Sequence, residues 1–266
     1  MLKDITIGQY YPAESAIHKL DPRVKIVVTI IYIVSLFVTN DWIGYLAAFL
    51  FLAASIVISK VPLSFILRGM KSIAVLLGIT IFFNLIFTPG DVVLVSFWKI
   101  KITQAGLNMA IRMGIRLSFL IVGTSLMTLT TTPNQLTNAL ERLMKPLNFM
   151  LPVHEIAMMM SIALRFIPIL MEETDKIMKA QMARGADFET GNIIVRIKNM
   201  VPLLVPLFIS AFRRANDLAM AMEARCYHGG AGRTQMKPLS YRGSDWSAYG
   251  VAVAYLAVCI VIRVVL

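Results

Sequence analysis

The sequence predicts an all-α, polytopic membrane protein, and three observations carry that prediction. Of its 266 residues 58% are apolar and only 15% are charged, with a mean hydropathy of +0.72, a balance too greasy for an ordinary soluble domain. Five apolar runs are long enough to reach across a bilayer. Between the fourth and the fifth lies a basic stretch with helical periodicity. The expected architecture is about five transmembrane helices and one further helical unit, made of two long crossing helices plus a short one. The boundaries fall at residues 1–131, 132–244 and 245–266.

The apolar runs are Val24 to Thr39, Trp42 to Ser59, Ser72 to Thr88, Gln104 to Thr131 and Trp246 to Leu266. At about 1.5 Å per helical residue each approaches the roughly 30 Å of hydrocarbon, and the first, the shortest, needs Lys25 to snorkel toward the interface. The first 23 residues are too polar for a cleavable signal peptide. Of the 26 Lys and Arg, 21 fall in residues 1–25, 60–71 and 132–244. A five-span count puts these three regions on one side, so the N-terminus and 132–244 are expected in the cytoplasm and the C-terminus outside. Lys99 and Lys101 weigh mildly against this. The net charge of +11 then belongs to cytoplasmic loops and not to a nucleic-acid surface.

Thr132-Pro133-Asn134-Gln135 opens the intervening unit. A capping Thr, Pro at the first helical position and Gln three residues after the cap predict a short helix that stops before Pro146. A longer helix is expected from near Pro152, with Ile156, Met159, Met160, Ala163, Ile167, Leu170, Ile177 and Met178 on one face. Glu172 with Lys176 and Asp175 with Lys179 are expected as i,i+4 pairs, Pro168 as a kink and Gly185 as the stop. A third helix is expected from about Val201 to Tyr227, bent at its start by Pro202 and Pro206 and stopped by Gly229-Gly230. Phe208, Phe212, Ala215, Ala219 and Met222 step along it by four and three. Ala211, Ala215 and Ala219 form a ridge low enough for a helix to cross closely.

Both long helices finish on nearly the same six residues, Ala180-Gln181-Met182-Ala183-Arg184-Gly185 and Ala221-Met222-Glu223-Ala224-Arg225-Cys226, 41 positions apart. A lone Arg in a last helical turn is most often a solvated cap. Two with matched small neighbours are harder to dismiss, because Ala183, Gly185, Ala224 and Cys226 let a partner's groove close over each guanidinium and pair it with carboxylate or carbonyl oxygens. Twelve of the 17 Met lie between Met144 and Met236; core filling and an interface that repacks with changing partners both explain them.

These residues bring the chain to a known family. Gly8-Gln9-Tyr10, Ser15, His18, Leu20-Asp21-Pro22-Arg23 and Lys25, with Ala163-Leu164-Arg165-Phe166-Ile167-Pro168, Ala183-Arg184-Gly185-Ala186-Asp187-Phe188, Arg214-Ala215 and Ala221-Met222-Glu223-Ala224-Arg225, resemble the transmembrane T component of energy-coupling factor transporters. The resemblance covers almost the whole chain. It implies a scaffold in a prokaryotic cell membrane that couples two ATP-binding-cassette ATPases to a small substrate-binding membrane subunit, the S component, for micronutrient uptake. It also implies that Arg184 and Arg225 dock in the ATPase pair, with ATP and Mg on those partners and no catalytic, cofactor or metal residue in this chain. The N-terminal signature is more similar to the shared, vitamin-type group than to the cobalt or nickel branch. Met159, Ala163, Phe208, Phe212, Ala215, Ala219 and Met222 are the expected S-component surface. Cys226 stands where the family pattern favours Gly; since Cys resists the left-handed conformation that ends a helix, the second long helix is expected to run on to Gly229.

The chain has no Gly-x-x-x-x-Gly-Lys-Ser/Thr phosphate loop, so it is not itself the ATPase. Its three histidines, His18, His154 and His228, have no companions at ligand spacing. Two rival classes find less support in the residues. A secondary transporter or channel would use ionisable groups inside its spans, and Arg112 with Arg116 is the pair available; snorkelling or partner contact explains it as well, with no acid beside it. A membrane-embedded lipid enzyme would need an acid cluster that Glu172, Glu173 and Asp175, each near a lysine, do not supply.

Overall fold

The computed structural model describes residues 10–90, 92–97, 100–186, 188, 193–230, 236 and 238–265. Its helices are α1 (Ala16–Lys19), α2 (Pro22–Val38), α3 (Trp42–Ser59), α4 (Leu63–Phe87), α5 (Gln104–Thr130), α6 (Pro133–Met144), α7 (Val153–Ala183), α8 (Ile193–Ala224) and α9 (Gly243–Val265). A short antiparallel hairpin, β1 (Val93–Phe97) and β2 (Ile100–Thr103), precedes α5. The protein is an all-α polytopic membrane protein. Trp42–Ser59, Gln104–Thr130, Val153–Ala183 and Gly243–Val265 are long and apolar enough to cross a membrane, and α4 is a fifth span if its two bent parts count as one.

The helix ends follow local chemistry. Asp21 caps α2, accepting from the Arg23 N–H at 2.9 Å, and Pro22 takes the first helical position. The Thr103 hydroxyl accepts from the Gly106 N–H and caps α5. At α6, Thr132 and Gln135 form the reciprocal capping box that their spacing predicts, with bonds of 3.3 and 3.1 Å.

Several expectations are corrected. Residues 63–71, ahead of the apolar run expected from Ser72, are already helical: α4 begins at Leu63, right after the extended Pro62, and the chain turns between α3 and α4 at Lys60, left-handed at φ +57°. The expected first span gives a helix of 17 residues, and α7, expected in the cytoplasm, is long and apolar enough to cross a membrane, a property of length and composition that a helix covered by a partner shares. Apolar composition measures greasiness and does not say whether lipid or protein will cover it. α8 begins at Ile193, eight residues before Val201, so Pro202 and Pro206 lie inside it. Their missing donors fall four residues apart, on one face, which confines the lost hydrogen bonds to a single strip.

Two compact units divide the described chain, residues 8–139 with 239–266 and residues 140–238. In the first, α4 lies along α5 and α2 packs against α9, α5 and α3. Its core joins Tyr32, Leu36, Ala48, Leu52, Tyr255 and Cys259, with the Phe51 and Tyr255 rings stacked at 4.3 Å and the Ser35 and Tyr255 hydroxyls 2.8 Å apart. Gly123 is required here, since a Cβ would collide with the Tyr32 ring. Large apolar side chains such as Leu46, Phe49, Val57, Val75 and Val264 point outward, as lipid-facing surface does.

Charged side chains form a network at each end of α2. At its start the Arg23 guanidinium grips Asp21 at 3.0 and 2.7 Å and lies over the Tyr241 ring at 3.9 Å. Asp245, only 1% exposed, accepts from the Asp21 and Arg242 N–H groups at 2.9 and 2.7 Å and so joins the starts of α2 and α9. Lys25 does not snorkel. It is 6% exposed and its Nζ donates to the carbonyls of Thr130, at 2.8 Å, and His18, at 3.2 Å. A cation at a helix start is electrostatically misplaced, and the C-terminal carbonyl of α5 offsets that. His18, for which the sequence suggested no role, has its Nε2 3.0 Å from the Tyr11 carbonyl and its Nδ1 2.7 Å from the Ser15 hydroxyl. A carbonyl only accepts, so Nε2 carries the proton and Nδ1 takes the serine's.

At the other end of α2, three arginines donate to its last carbonyls and those just beyond. Arg263 reaches Val38 at 3.1 Å, Arg116 reaches Thr39 and the Asn40 side chain at 3.0 Å each, and Arg112 reaches the Asn40 carbonyl at 3.4 Å. Cations suit a helix C-terminus, where the carbonyls are unsatisfied and the dipole is negative.

Candidate functional site

The matched sequences at the ends of α7 and α8 fold into the same structure. At the first, the Ala186 N–H donates to the Gln181 carbonyl and the Gly185 N–H to that of Met182, both at 3.0 Å. At the second, the Tyr227 N–H donates to the Met222 carbonyl at 3.1 Å and the Cys226 N–H to that of Glu223 at 2.9 Å. Each is a Schellman ending. Arg184 and Arg225 hold the same position in it, the residue on which the helix closes. Gly185 and Cys226 follow with φ of +89° and +53°. The expectation that Cys226 would refuse this conformation and let the helix continue to Gly229 is thus corrected: α8 stops at Ala224. Two satisfied carbonyls outweigh the roughly 1–2 kcal/mol of left-handed strain.

Ala183, Arg184, Gly185, Ala224, Arg225 and Cys226 are all exposed. Among the described residues neither guanidinium pairs with a carboxylate; the ion pairs there are Arg23–Asp21, His154–Glu141 and Arg214–Glu173. The site is two solvated cations, each flanked by residues too small to obstruct an approaching surface.

Within the same unit α7 packs against α8. The expected Glu172–Lys176 and Asp175–Lys179 pairs do not form, because exposed i,i+4 pairs gain too little to hold two long side chains. The carboxylate that is used is Glu173, which accepts from the Ser210 hydroxyl at 2.5 Å and from Arg214 at 2.9 Å and so pins α7 to α8. Its partners lie on another helix, 37 and 41 residues away, where spacing rules do not reach.

A groove of about 280 Å³ between α7 and α8 is lined by Ala215, Ala219 and Met222 of the expected S-component surface, with Ile162, Phe166 and Leu170 opposite. Met159, Ala163, Phe208 and Phe212 lie outside that lining, as exposed surface. Phe212 is 72%, Phe208 63% and Met159 58% exposed. Ala215 and Ala219 thus provide room beside α7 without filling it. At the start of α7, His154 Nδ1 lies 2.8 Å from Glu141, joining α6 to α7.

The family model for cobalt transport protein (CbiQ) matches residues 13–237 of this chain. The energy-coupling factor transporter transmembrane protein EcfT of Clostridium kluyveri is 54% identical over 266 residues, covering 99% of this chain and 98% of the relative. The chain belongs to the energy-coupling factor transporter transmembrane protein family. EcfT of Ruminiclostridium cellulolyticum is 51% identical over 257 residues, 96% of each chain, and EcfT of Thermosediminibacter oceani 52% identical over 258 residues, 97% of each. The chain is accordingly a multi-pass, non-catalytic membrane component of a transporter that contains other components.

The sequence reading missed Asp245, Tyr241 and Thr130, which complete the network around Asp21, Arg23 and Lys25. Asp245 sits three residues after Arg242 at the start of an apolar run, a cap signal that could have been read. Thr130 contributes only a backbone carbonyl, which leaves no trace in residue type.

Proposed function

We propose that this chain is the coupling subunit of an importer driven by two ATP-binding-cassette ATPases, and that it carries their motion to a small S component for uptake of a micronutrient, a vitamin. One observation carries the reading: two exposed arginines, without an ion-pair partner among the described residues, end α7 and α8 in one shared geometry. A pair of equivalent ATPases calls for a pair of equivalent ligands. Each guanidinium enters one ATPase groove, where a charge-assisted hydrogen bond is worth about 1.5 to 3 kcal/mol. ATP and Mg stay on the partners.

As the ATPases close and open they draw Arg184 and Arg225 together and apart, and α7 and α8 act as levers hinged where Glu173 holds Ser210 and Arg214. The far load is the S component, seated on Met159, Ala163, Phe208, Phe212, Ala215, Ala219 and Met222; exposed apolar surface of that kind favours a partner. The N-terminus and 132–244 face the cytoplasm, where ATP is, and the C-terminus faces out. A channel or secondary-transporter role for Arg112 and Arg116 finds less support, because both guanidiniums donate to the end of α2. Purification of the intact complex tests the reading: it should yield two ATPase subunits and one small membrane protein per chain. A chain that catalyses uptake with no ATPase bound contradicts it.

A further inference from the structure

The first unit contains an open cavity of about 340 Å³ between α1, α2, α3, α5 and α9. It begins at the joined starts of α2 and α9, beside Lys25 and Ser244, and extends to Tyr32 and Val251. Each of those stretches is seven residues, about 10 Å of helix. The wall along that length is apolar apart from a few hydroxyls, and a cavity so lined does not hold water in the absence of polar partners. Nor do the described residues fill it: Gly123, which forms part of the wall, has no side chain to offer and no room for a Cβ.

The depth of the opening is set by aromatics. Tyr241, Trp246 and Tyr249 cluster at the start of α9 with ring centroids 6.0 to 6.3 Å apart, and Trp246 is 68% exposed. Such a cluster marks the headgroup level of a bilayer. The end of the cavity beside Ser244 therefore lies at the headgroup level, and the stretch to Val251 lies alongside acyl chains. At its polar end stands Lys25, buried, with three N–H donors of which two are used among the described residues, on Thr130 and His18. Asp21 and Asp245 balance Arg23 and Lys25 in charge, yet their oxygens bond Arg23 and backbone N–H groups, not Lys25. One ammonium donor faces a site whose neighbours in the membrane, lipid phosphates and esters, are rich in acceptors.

We propose that this cavity holds one acyl chain of a membrane lipid, with a headgroup oxygen of that lipid on the spare N–H of Lys25. The balanced charges around Lys25 make the site one for lipid in general and not for an anionic class. The occupant ties α1, α2, α5 and α9 together as a wedge of fixed size.

The test uses the intact transporter in vesicles containing a phosphatidylcholine with a photoreactive diazirine in its acyl chain, followed by peptide mapping. Tyr32, 3% exposed, and Leu126, 7% exposed, line the cavity, whereas Leu46 and Phe49 are over half exposed on α3 and report bulk lipid. Label at Tyr32 or Leu126 is expected alongside label at Leu46 and Phe49. Ala248→Phe, which projects into the cavity, should cut the inner label at least tenfold and leave the outer label unchanged; Val28→Trp serves if Ala248→Phe does not assemble. Label confined to Leu46 and Phe49, or inner label untouched by both variants, overturns the proposal. A phosphatidylglycerol probe should label the inner positions within twofold of the phosphatidylcholine probe, and a tenfold preference overturns the assignment of the headgroup contact.

Discussion

Arg184 and Arg225 sit at the same position of two helix endings that share both hydrogen bonds and the left-handed residue that follows. The two endings differ in that residue, Gly185 in one and Cys226 in the other. Replacing Cys226 with Gly should leave the geometry unchanged and stabilise the α8 end by about 1 kcal/mol. Gly185→Val should cost about 1–2 kcal/mol and impair ATPase binding, because a β-branched residue tolerates positive φ poorly. Thermal unfolding of the purified chain and ATPase retention on an affinity column check both. Equal behaviour of Cys226→Gly and Gly185→Val would contradict the shared cap.

Cys226 is also a native probe of sidedness, being exposed while Cys259 is buried. An impermeant maleimide should label it only in permeabilised cells, and bound ATPases should slow the labelling several-fold. A cysteine placed at Asn40, exposed at the opposite end of α2 from the Asp21 network, should react in intact cells. Prompt reaction of Cys226 in intact cells would overturn the orientation together with the coupling role.

The clamp between α7 and α8 should matter more for coupling than for assembly. Arg214 is 40% and Glu173 23% exposed at the side chain, so a double-mutant cycle should return only about 1 kcal/mol of interaction. Glu173→Gln and Arg214→Ala should nevertheless lower uptake per ATP hydrolysed, with all subunits retained. An unchanged ratio of uptake to hydrolysis would show that the levers do not hinge there.

Two groups beside α2 make the protein acid-sensitive. Burial lowers the pKa of His18, against a raising hydrogen bond to the Tyr11 carbonyl, with Lys25 lowering it further. The folded state therefore prefers neutral His18, and that stability, present above the ordinary histidine range, fades as pH falls from about 6.5 through the folded value. At Asp21 burial pushes the pKa up, but bonds and charge from Arg23, with the charge of Lys25, bring it below the ordinary range. Its contribution persists above about pH 3.9 and is lost on further acidification. The melting temperature should fall between pH 7 and 5, and His18→Gln should flatten that slope. An equal slope in the variant would exclude His18 as its source.

Arg116→Ala should destabilise the chain by about 1–3 kcal/mol by leaving carbonyls at the end of α2 unpaired. Substrate affinity of the assembled transporter should not change, which distinguishes a helix cap from a pathway residue; a tenfold shift in affinity would favour the pathway.

What could be read from residue order was whatever is local. The Thr132–Gln135 box, the Asp21-Pro22 start and the Gly185 stop each depend on neighbours a few residues apart. The paired arginines were legible because their pattern is written twice. The Asp245–Asp21 bond, the Lys25–Thr130 bond and the Glu173–Arg214 pair join residues 41 to 224 positions apart, so they depended on packing that no periodicity encodes. Cys226 misled because its intrinsic preference was weighed without the two hydrogen bonds that the ending gains. At α7 composition does not discriminate, because its length and apolar character suit a membrane span and equally a surface for a partner.

The most direct test of the coupling role is ATP-driven uptake by vesicles carrying the complete transporter with Arg184→Ala and Arg225→Ala together. Each single change should weaken ATPase retention or coupling, and lysine at either position should rescue poorly if the contact is a bidentate fork. The double change should abolish uptake while the chain remains folded in the membrane. Wild-type uptake by the double variant would contradict the account at its root.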